Sequence, residues 1–289
     1  MSRAYSSKGL VSIIVLNWNG IGLTEKCLKA VKKETLHWPY EFILVDNGSD
    51  EANVKRLKEL KKLGFIDKLI LNEKNTGFSF ANNQGFDASK GEYVFMLNND
   101  TLPRKGWLGN VLKVMKENPE AAAVGCKLVD LKPFKEKEFE LRPDRVVTTT
   151  CGAAMLIRKD ALEKIGYLDA KHFSPIYGEE TDWCYRARLK GFKVMETDKS
   201  LVVHIGSHDT KKGRGRESAF ELLNTYRLKA MLFNLTLPQF LGYVPGLGLI
   251  FVNAAKDGLL PSLLKAYWSN VKNCKEIVQE RKKRKAGLF

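Results

Sequence analysis

The sequence predicts an α/β protein: a mostly parallel central sheet flanked by helices, with a helical C-terminal extension. Three observations predict it. Residues 10–16 (LVSIIVL) and 41–45 (EFILV) are short runs rich in β-branched residues, the signature of buried strands. Between them Leu23, Cys27, Leu28 and Val31 share one helical face. Strand, helix and strand in that order form a βαβ unit, so the sheet begins parallel. A third run, residues 93–97 (YVFML), is buried-strand-like and stops on Asn98-Asn99-Asp100. Polar residues at the C-terminal ends of parallel strands stand where open α/β sheets bind ligands.

The remaining elements follow in order. Residues 53–63 form a Lys-rich helix with Val54, Leu57, Leu60 and Leu63 inward, and residues 68–71 a short strand. The polar loop 72–77 (NEKNTG) precedes a helix over 78–89 with small residues on one face. Residues 106–117 are an amphipathic helix closed by Asn118-Pro119, and 121–129 a strand. Residues 130–145 are a charged, Pro-containing excursion expected to be a mobile loop. Residues 148–158 are strand-like, 159–165 a short helix, and a further helix runs from 179 to 190. Short strands are expected at 192–195 and 201–204, a flexible basic loop at 206–216, and a helix from 217 to 234.

The 289 residues can bury a substantial core, and 44% hydrophobic content excludes a disordered chain. Five scattered cysteines have no metal or redox spacing, so buried thiols in a reducing compartment are expected. The N-terminus shows no apolar signal-peptide core. A formal charge of +15 calls for an anionic partner. Nucleic acid is one such partner, but no nucleic-acid-binding motif is present and the basic residues are dispersed. A nucleotidyltransferase would carry a Gly-rich basic loop after the first strand, where this chain has Asn17-Trp18-Asn19-Gly20.

After residue 237 the character changes. Residues 239–255 carry no charge, yet Pro245 and three glycines interrupt them, and the stretch falls short of a transmembrane span. With the apolar, aromatic residues 259–268 and the basic 281–285 (RKKRK), it suits an anionic membrane surface. A homodimer interface followed by a solvated tail is the competing reading. The expected division is a catalytic-type domain over 1–237 and an apolar, basic extension over 238–289. The expected location is cytoplasmic, peripheral on the membrane face.

Four polar clusters lie at or near strand ends: 17–20, 46–50, 98–100 and 179–182. Asp100 is a hard oxygen ligand suited to Mg²⁺ or Mn²⁺ carrying a phosphate, although Asn-Asn-Asp-Thr also makes turns. Glu179, Glu180 and Asp182 open a helix, where the dipole favours anions and neighbouring carboxylates raise one another's pKa.

The segments VSIIVLNWNG, ILVDNGSD, NTGFSFANNQG, YVFMLNNDT, CGAAMLIRKDALEKIGYLD, YGEETDWCYRARLKGFKV and VVHIGS resemble the family 2 inverting glycosyltransferases of the GT-A fold, in particular their rhamnosyltransferase-like branch. Together they span roughly residues 10–235. The resemblance implies a divalent metal (Mn²⁺ or Mg²⁺) and a UDP-, dTDP- or GDP-sugar donor. It implies transfer to a hydroxyl of a glycan or a polyprenyl-linked acceptor. Asn17 and Asn19 would line the nucleotide pocket, Asp46 would accept hydrogen bonds from base or ribose, and Asn75, Gly77 and Asn82 would pass near the nucleotide. Asn98-Asn99-Asp100 occupies the Asp-x-Asp position with Asn98 replacing the first carboxylate. Asp100 would then hold the metal, completed by His204, with His208 a second candidate. Glu179 or Glu180 would be the catalytic base, and Asp182 would orient acceptor or helix. Arg186 and Arg188 would neutralise diphosphate or pair with the carboxylates. Residues 211–216 would form either a lid over the diphosphate or a solvated loop. A sugar-binding protein without turnover is the alternative that the Asn98 replacement supports.

Overall fold

The computed structural model describes residues 7–35, 37–130, 141–206 and 208–287, with the backbone alone at 7 and 208–214. Elements β1 (Ser7–Asn17), α1 (Ile21–Glu34), β2 (Tyr40–Asp46), α2 (Glu51–Lys62), β3 (Lys68–Leu71), α3 (Phe78–Ala88) and β4 (Gly91–Asn98) alternate as the hydrophobic pattern requires. β2 and β4 flank β1 in parallel, and β3 continues the sheet beyond β2. Then come β5 (Thr101–Pro103), α4 (Trp107–Glu117), β6 (Ala121–Asp130), β7 (Arg145–Val147), β8 (Ala154–Arg158) and α5 (Lys159–Ile165). α6 (Glu179–Leu189), β9 (Lys193–His204), α7 (His208–Asn234), α8 (Leu237–Lys256), α9 (Leu260–Lys272) and α10 (Cys274–Lys285) complete the chain. The sheet runs β3-β2-β1-β4-β8-β6-β9-β5, with β7 also on β9. Its first half is parallel. β8 runs antiparallel between β4 and β6, so the second half is mixed.

Alternation along the strands builds two cores. Val11, Ile13 and Val15 of β1 join Phe42 and Leu44 in a layer with Leu28 of α1, Leu57 of α2 and Trp107 of α4. Ile14, Ile43, Val94 and Met96 join a second layer with Phe86 of α3, Leu162 of α5 and Trp183 of α6. α3 lies close to the sheet because Gly85 has no side chain: a Cβ there would stand 2.5 Å from Ile14 Cγ2.

Some local expectations are revised. The two short strands expected at 192–204 are one strand, β9, whose register shifts opposite Cys126 and Lys127. Three of the polar residues that read as a break, Thr197, Asp198 and Ser200, are buried and partnered: Ser200 Oγ donates to Trp107 O at 2.7 Å, Thr197 Oγ1 donates to Asp144 Oδ1 at 2.7 Å, and Asp198 pairs with Arg142 and Arg145. Strand β8 starts only at Ala154, so 148–153 is a loop. The basic stretch expected as a flexible loop has a helical backbone from His208, broken at Gly215 (φ 74°). Most of the 130–145 excursion lies outside the described residues.

The C-terminal helices form two different surfaces. Ile277 of α10 shares a core with Phe173, Tyr185 of α6 and Met231 and Phe233 of α7, so α10 packs back onto the sheet-bearing part. α8, opened by a Thr236–Gln239 capping box and accommodating Pro245, turns outward. Leu237, Leu241, Leu249, Phe251 and Val252 of α8 are exposed, as are Leu264 and Trp268 of α9. By length and composition α8 could cross a membrane.

Placing Val at Gly85 is expected to cost about 1–3 kcal/mol, because the branch must displace α3 from β1. Urea unfolding of Gly85→Val against wild type checks this, with an unchanged midpoint counting against the close packing.

Candidate functional site

The parallel register brings the polar strand ends together. Asn17 lies opposite Asp46 across β1 and β2, and Leu16 opposite Asn98 across β1 and β4. Asn17 is fully buried, and its Nδ2 donates to Asp46 Oδ1 at 2.7 Å and Ser49 Oγ at 3.1 Å. Its Oδ1 accepts from Thr24 Oγ1 at 2.7 Å. Asp46, also fully buried, further accepts from Ser49 Oγ at 2.6 Å and Ser49 N at 3.0 Å. Both side chains therefore spend these bonds inside the protein, closing the turn after β2. Asn19 sits in the left-handed region (φ 50°) and its Oδ1 accepts from Asp50 N at 2.9 Å.

Asn47, which the sequence reading passed over, organises the next loop. Its Nδ2 donates to Asn75 Oδ1 (3.0 Å) and Gly77 O (3.3 Å). Its Oδ1 accepts from Thr76 N (3.0 Å), Thr76 Oγ1 (2.8 Å) and Asn72 Nδ2 (3.1 Å). The available signal was the Asn-Gly pair: Gly48 has φ 79°, and a Cβ there would lie 2.4 Å from the Lys74 backbone. Asn75 Oδ1 also accepts from Gly77 N at 2.9 Å. Gly77 (φ 87°) lies against Ser174 and Pro175, and Phe78 N donates to Pro175 O at 2.7 Å. Asn82 is buried on α3, and its Nδ2 donates to Phe78 O at 3.0 Å.

The carboxylate edge depends on a strand too short to read from sequence. Asn98 N donates to Ala153 O at 2.9 Å, and Asn99 Nδ2 donates to Thr24 Oγ1 at 3.1 Å. β5 then begins at Thr101 and pairs antiparallel with β9, Thr101 opposite His204. Ile205 N donates to Asp100 O at 2.9 Å. This pairing places Asp100 Oδ1 3.2 Å from His204 Nε2. Both atoms are shielded from solvent, and neither makes a hydrogen bond, the pair being close but misaligned. The neighbouring Asp100 carboxylate raises the His204 pKa above its ordinary value, against the opposing effect of burial. An oxygen and a nitrogen that are both shielded and converge without a hydrogen bond fit a divalent cation. Of His208 and residues 211–214 only the backbone is described.

α6 carries the acidic cluster. Gly178 precedes it at φ 82°, and a Cβ there would meet Tyr226 Cβ at 2.8 Å. Glu179 is 3% exposed and its Oε2 has no partner. Burial, and then the Glu180 charge, push its pKa well above the ordinary carboxylate range. Glu180 is half-buried, and burial raises its pKa as well. It packs beside Gly152, where a Cβ would stand 3.2 Å from the Glu180 Cβ. The Cys151 thiol is pushed up to about 11 by burial and by the charges of Glu180, Glu196 and Asp100. Glu180 and Asp100 thus act on one thiol in the loop between β7 and β8.

Asp182 and Arg186 face inward. Asp182 is fully buried: Oδ2 accepts from Arg186 Nε at 2.8 Å, and Oδ1 accepts from Asn234 Nδ2 at 2.8 Å and from Arg284 Nη1. Arg186 also donates to Ile165 O (3.0 Å) and Tyr167 O (2.7 Å). Arg188, by contrast, is exposed. Arg284 belongs to the basic run expected at an anionic membrane surface or, in the competing reading, in a solvated tail, yet it is 4% exposed and also pairs with Asp169 at 2.6 Å. No sequence signal distinguishes it from its neighbours.

Solved structures share this architecture. The mannosyltransferase PcManGT of Pyrobaculum calidifontis, in complex with GDP-Man and Mn²⁺, superposes with a TM-score of 0.62 at 17% identity, over 91% of this chain and 75% of that one. GalNAc-T7 with UDP, GalNAc and Mn²⁺ gives 0.63 at 16% identity, over 81% of this chain and 48% of the other. The fold is therefore GT-A. The family model for glycosyl transferase family 2 matches residues 12–166, more than half of the chain, and the chain belongs to that family. An uncharacterised glycosyltransferase of Haemophilus influenzae is 26% identical over 163 residues, covering 56% of this chain and 49% of the relative. The chain thus spans about half of that relative's length. The low-salt glycan biosynthesis hexosyltransferase Agl10 of Haloferax volcanii is 24% identical over 249 residues, 78% of this chain and 75% of that protein.

A raised carboxyl pKa means the folded protein binds that proton more tightly than the unfolded chain does. Its stabilisation is complete below the unfolded pKa and is lost as pH rises through the elevated folded value. Glu179→Gln is accordingly expected to exceed wild type in Tm by about 2–4 °C at pH 8, with the difference vanishing toward pH 4. Thermal melts across that range check the sign.

Proposed function

We propose that this protein is a metal-dependent inverting hexosyltransferase, moving a sugar from a nucleoside-diphosphate donor to a hydroxyl of a glycan or lipid-linked acceptor. The observation that carries the reading is the convergence of Asp100 Oδ1 and His204 Nε2, buried and without hydrogen bonds, at the C-terminal edge of the sheet. The Mn²⁺ and nucleotide or nucleotide-sugar ligands of the two structural neighbours support it. Asp100 and His204 would hold the cation, with Asn98 and Asn99 shaping the turn beside it. When bound, a divalent cation supplies positive charge to the departing diphosphate.

Glu180 is assigned as the general base. It is the accessible member of the acidic pair, while Glu179 is buried. Its raised pKa suits proton abstraction nearer neutral pH. Glu180 takes the proton of the acceptor hydroxyl as that oxygen bonds to the anomeric carbon. The bond from that carbon to the diphosphate oxygen breaks on the opposite face, which inverts the centre. Asp182 acts as a positioning residue, fixing α6 through Arg186, Asn234 and Arg284, so Arg186 is assigned to the helix and not to diphosphate. Asn17, Asp46 and Asn47 shape the loops of the donor pocket, and Asn19, Asn75, Gly77 and Asn82 flank it. The donor is a UDP-, dTDP- or GDP-sugar, as the resemblance to the rhamnosyltransferase-like branch implies.

The extension over 238–289 is assigned to peripheral contact with an anionic membrane, placing the enzyme on the cytoplasmic face. α8 and α9 expose Leu249, Phe251, Leu264 and Trp268. Lys256, Lys265 and Lys272 lie on the same two helices and their ends. Apolar burial combined with lysine attraction to lipid charge is the usual basis of interfacial binding.

Asp100→Ala is expected to lose Mn²⁺-stimulated turnover by at least ~100-fold while keeping its Tm within a few degrees. Glu180→Gln is expected to lose about 10²–10⁴ in kcat with donor KM within twofold, and Glu179→Gln far less. Steady-state assays over a panel of nucleotide sugars check both, and full activity in Glu180→Gln would place the base elsewhere. Flotation with anionic vesicles is expected for wild type and lost in Leu249→Asp/Phe251→Asp. Point substitutions are the appropriate probe, because truncation would also remove Arg284.

A further inference from the structure

We propose that His172, Glu276 and Glu280 form a second divalent-metal site, of the zinc class, which staples α10 to the turn ahead of α6. The site is separate from Asp100 and His204. His172 is 7% exposed, and its ring is held edge-on against Phe233 with centroids 5.2 Å apart. Its Nδ1 stands 2.7 Å from Asp169 Oδ2. An ionised carboxylate accepts only, so Nδ1 carries the proton and donates. In the neutral ring this leaves the lone pair on Nε2.

Nε2 is shielded from solvent and makes no hydrogen bond. It stands 3.6 Å from Glu276 Oε1 and 3.9 Å from Glu280 Oε2, which lie one helical turn apart on α10. Both separations are too long for hydrogen bonds. They are close to what a shared ion requires: two ligands each about 2.1 Å from a tetrahedral metal are roughly 3.4 Å apart. Asp169, His172 and Glu280 offer ligand atoms that all lie within 4.8 Å of one another, and Glu276, outside that group, reaches Nε2 from the neighbouring turn of α10.

The surroundings fit the same reading. A metal-bound histidine ordinarily donates its other ring N–H to a carboxylate, as His172 does to Asp169. Asp169 is held in turn by Arg284 Nη2 at 2.6 Å. Glu280 Oε1 accepts from Arg284 Nε at 3.1 Å, which leaves Oε2 for the ion. Three carboxylates face this cluster against one guanidinium that is shared with Asp182, so negative charge remains for a dication to neutralise. One imidazole and two carboxylates with a solvent position favour zinc over magnesium. The consequence reaches α6, because the same Arg284 holds Asp182.

The test uses the full chain, stripped with chelator, in a Cys274→Ser background to remove that exposed thiol. Zinc alone is titrated by calorimetry, and zinc content is measured after gel filtration. At least one zinc is expected in the parent, where Asp100 and His204 also offer ligands, and one in the Asp100→Ala/His204→Ala variant. Added to that double variant, His172→Gln and Glu276→Gln are each expected to lower the affinity at least ~10-fold, and the half-exposed position of Glu276 leaves the fold intact. Zinc held at undiminished affinity after either addition overturns the proposal, as does loss of all zinc in Asp100→Ala/His204→Ala. Absence of zinc binding in the parent also overturns it.

Discussion

A buried carboxylate has to be paired, and Asp182 is the carboxylate on which the arrangement of this protein turns. Stripped of water, its two oxygens are met by two guanidinium groups and one amide. Those groups come from α6 itself, from the end of α7 and from α10. The charge can be buried only if the three helices meet at one point. Removing one partner of such a group typically costs 3–5 kcal/mol, far more than an exposed ion pair contributes. The helix that presents Glu179 and Glu180 is therefore held in place by residues up to 102 positions away in sequence.

The carboxylate edge follows a similar logic with backbone instead of charge. Three residues, Thr101 to Pro103, pair with the end of β9 and set the distance between Asp100 and His204. The parallel strands β1, β2 and β4 deliver their polar ends to the same edge of the sheet. Asn17, Asp46 and Asn47 then spend their hydrogen bonds on one another and on the loops 46–50 and 72–77. These loops are built from residues whose own polar groups are largely satisfied by one another.

The C-terminal helices divide the labour. α10 is part of the enzyme's interior through Ile277 and Arg284. α8 and α9 keep apolar residues in solvent, a cost that an interface repays. One extension thus joins an exposed apolar surface to the helix that holds α6 through Arg284, and the two are linked by chain continuity and by α7.

The sequence by itself determined the βαβ alternation and the polar strand and helix ends that carry Asp100, Glu179 and Glu180, whereas His204 was named only through the family resemblance. Period-2 runs, helical spacing and polar residues after strands are local signals, and these are local features. The antiparallel insertion of β8, the short β5, the single β9 and the inward fate of Asp182 and Arg186 were decided only by tertiary structure. So was the role of Arg284, which sits in a run of five basic residues that reads as a membrane-facing or solvated end. The physical reason is that burial of a charge depends on which distant partners meet it. Composition records the charge and is silent about the partner.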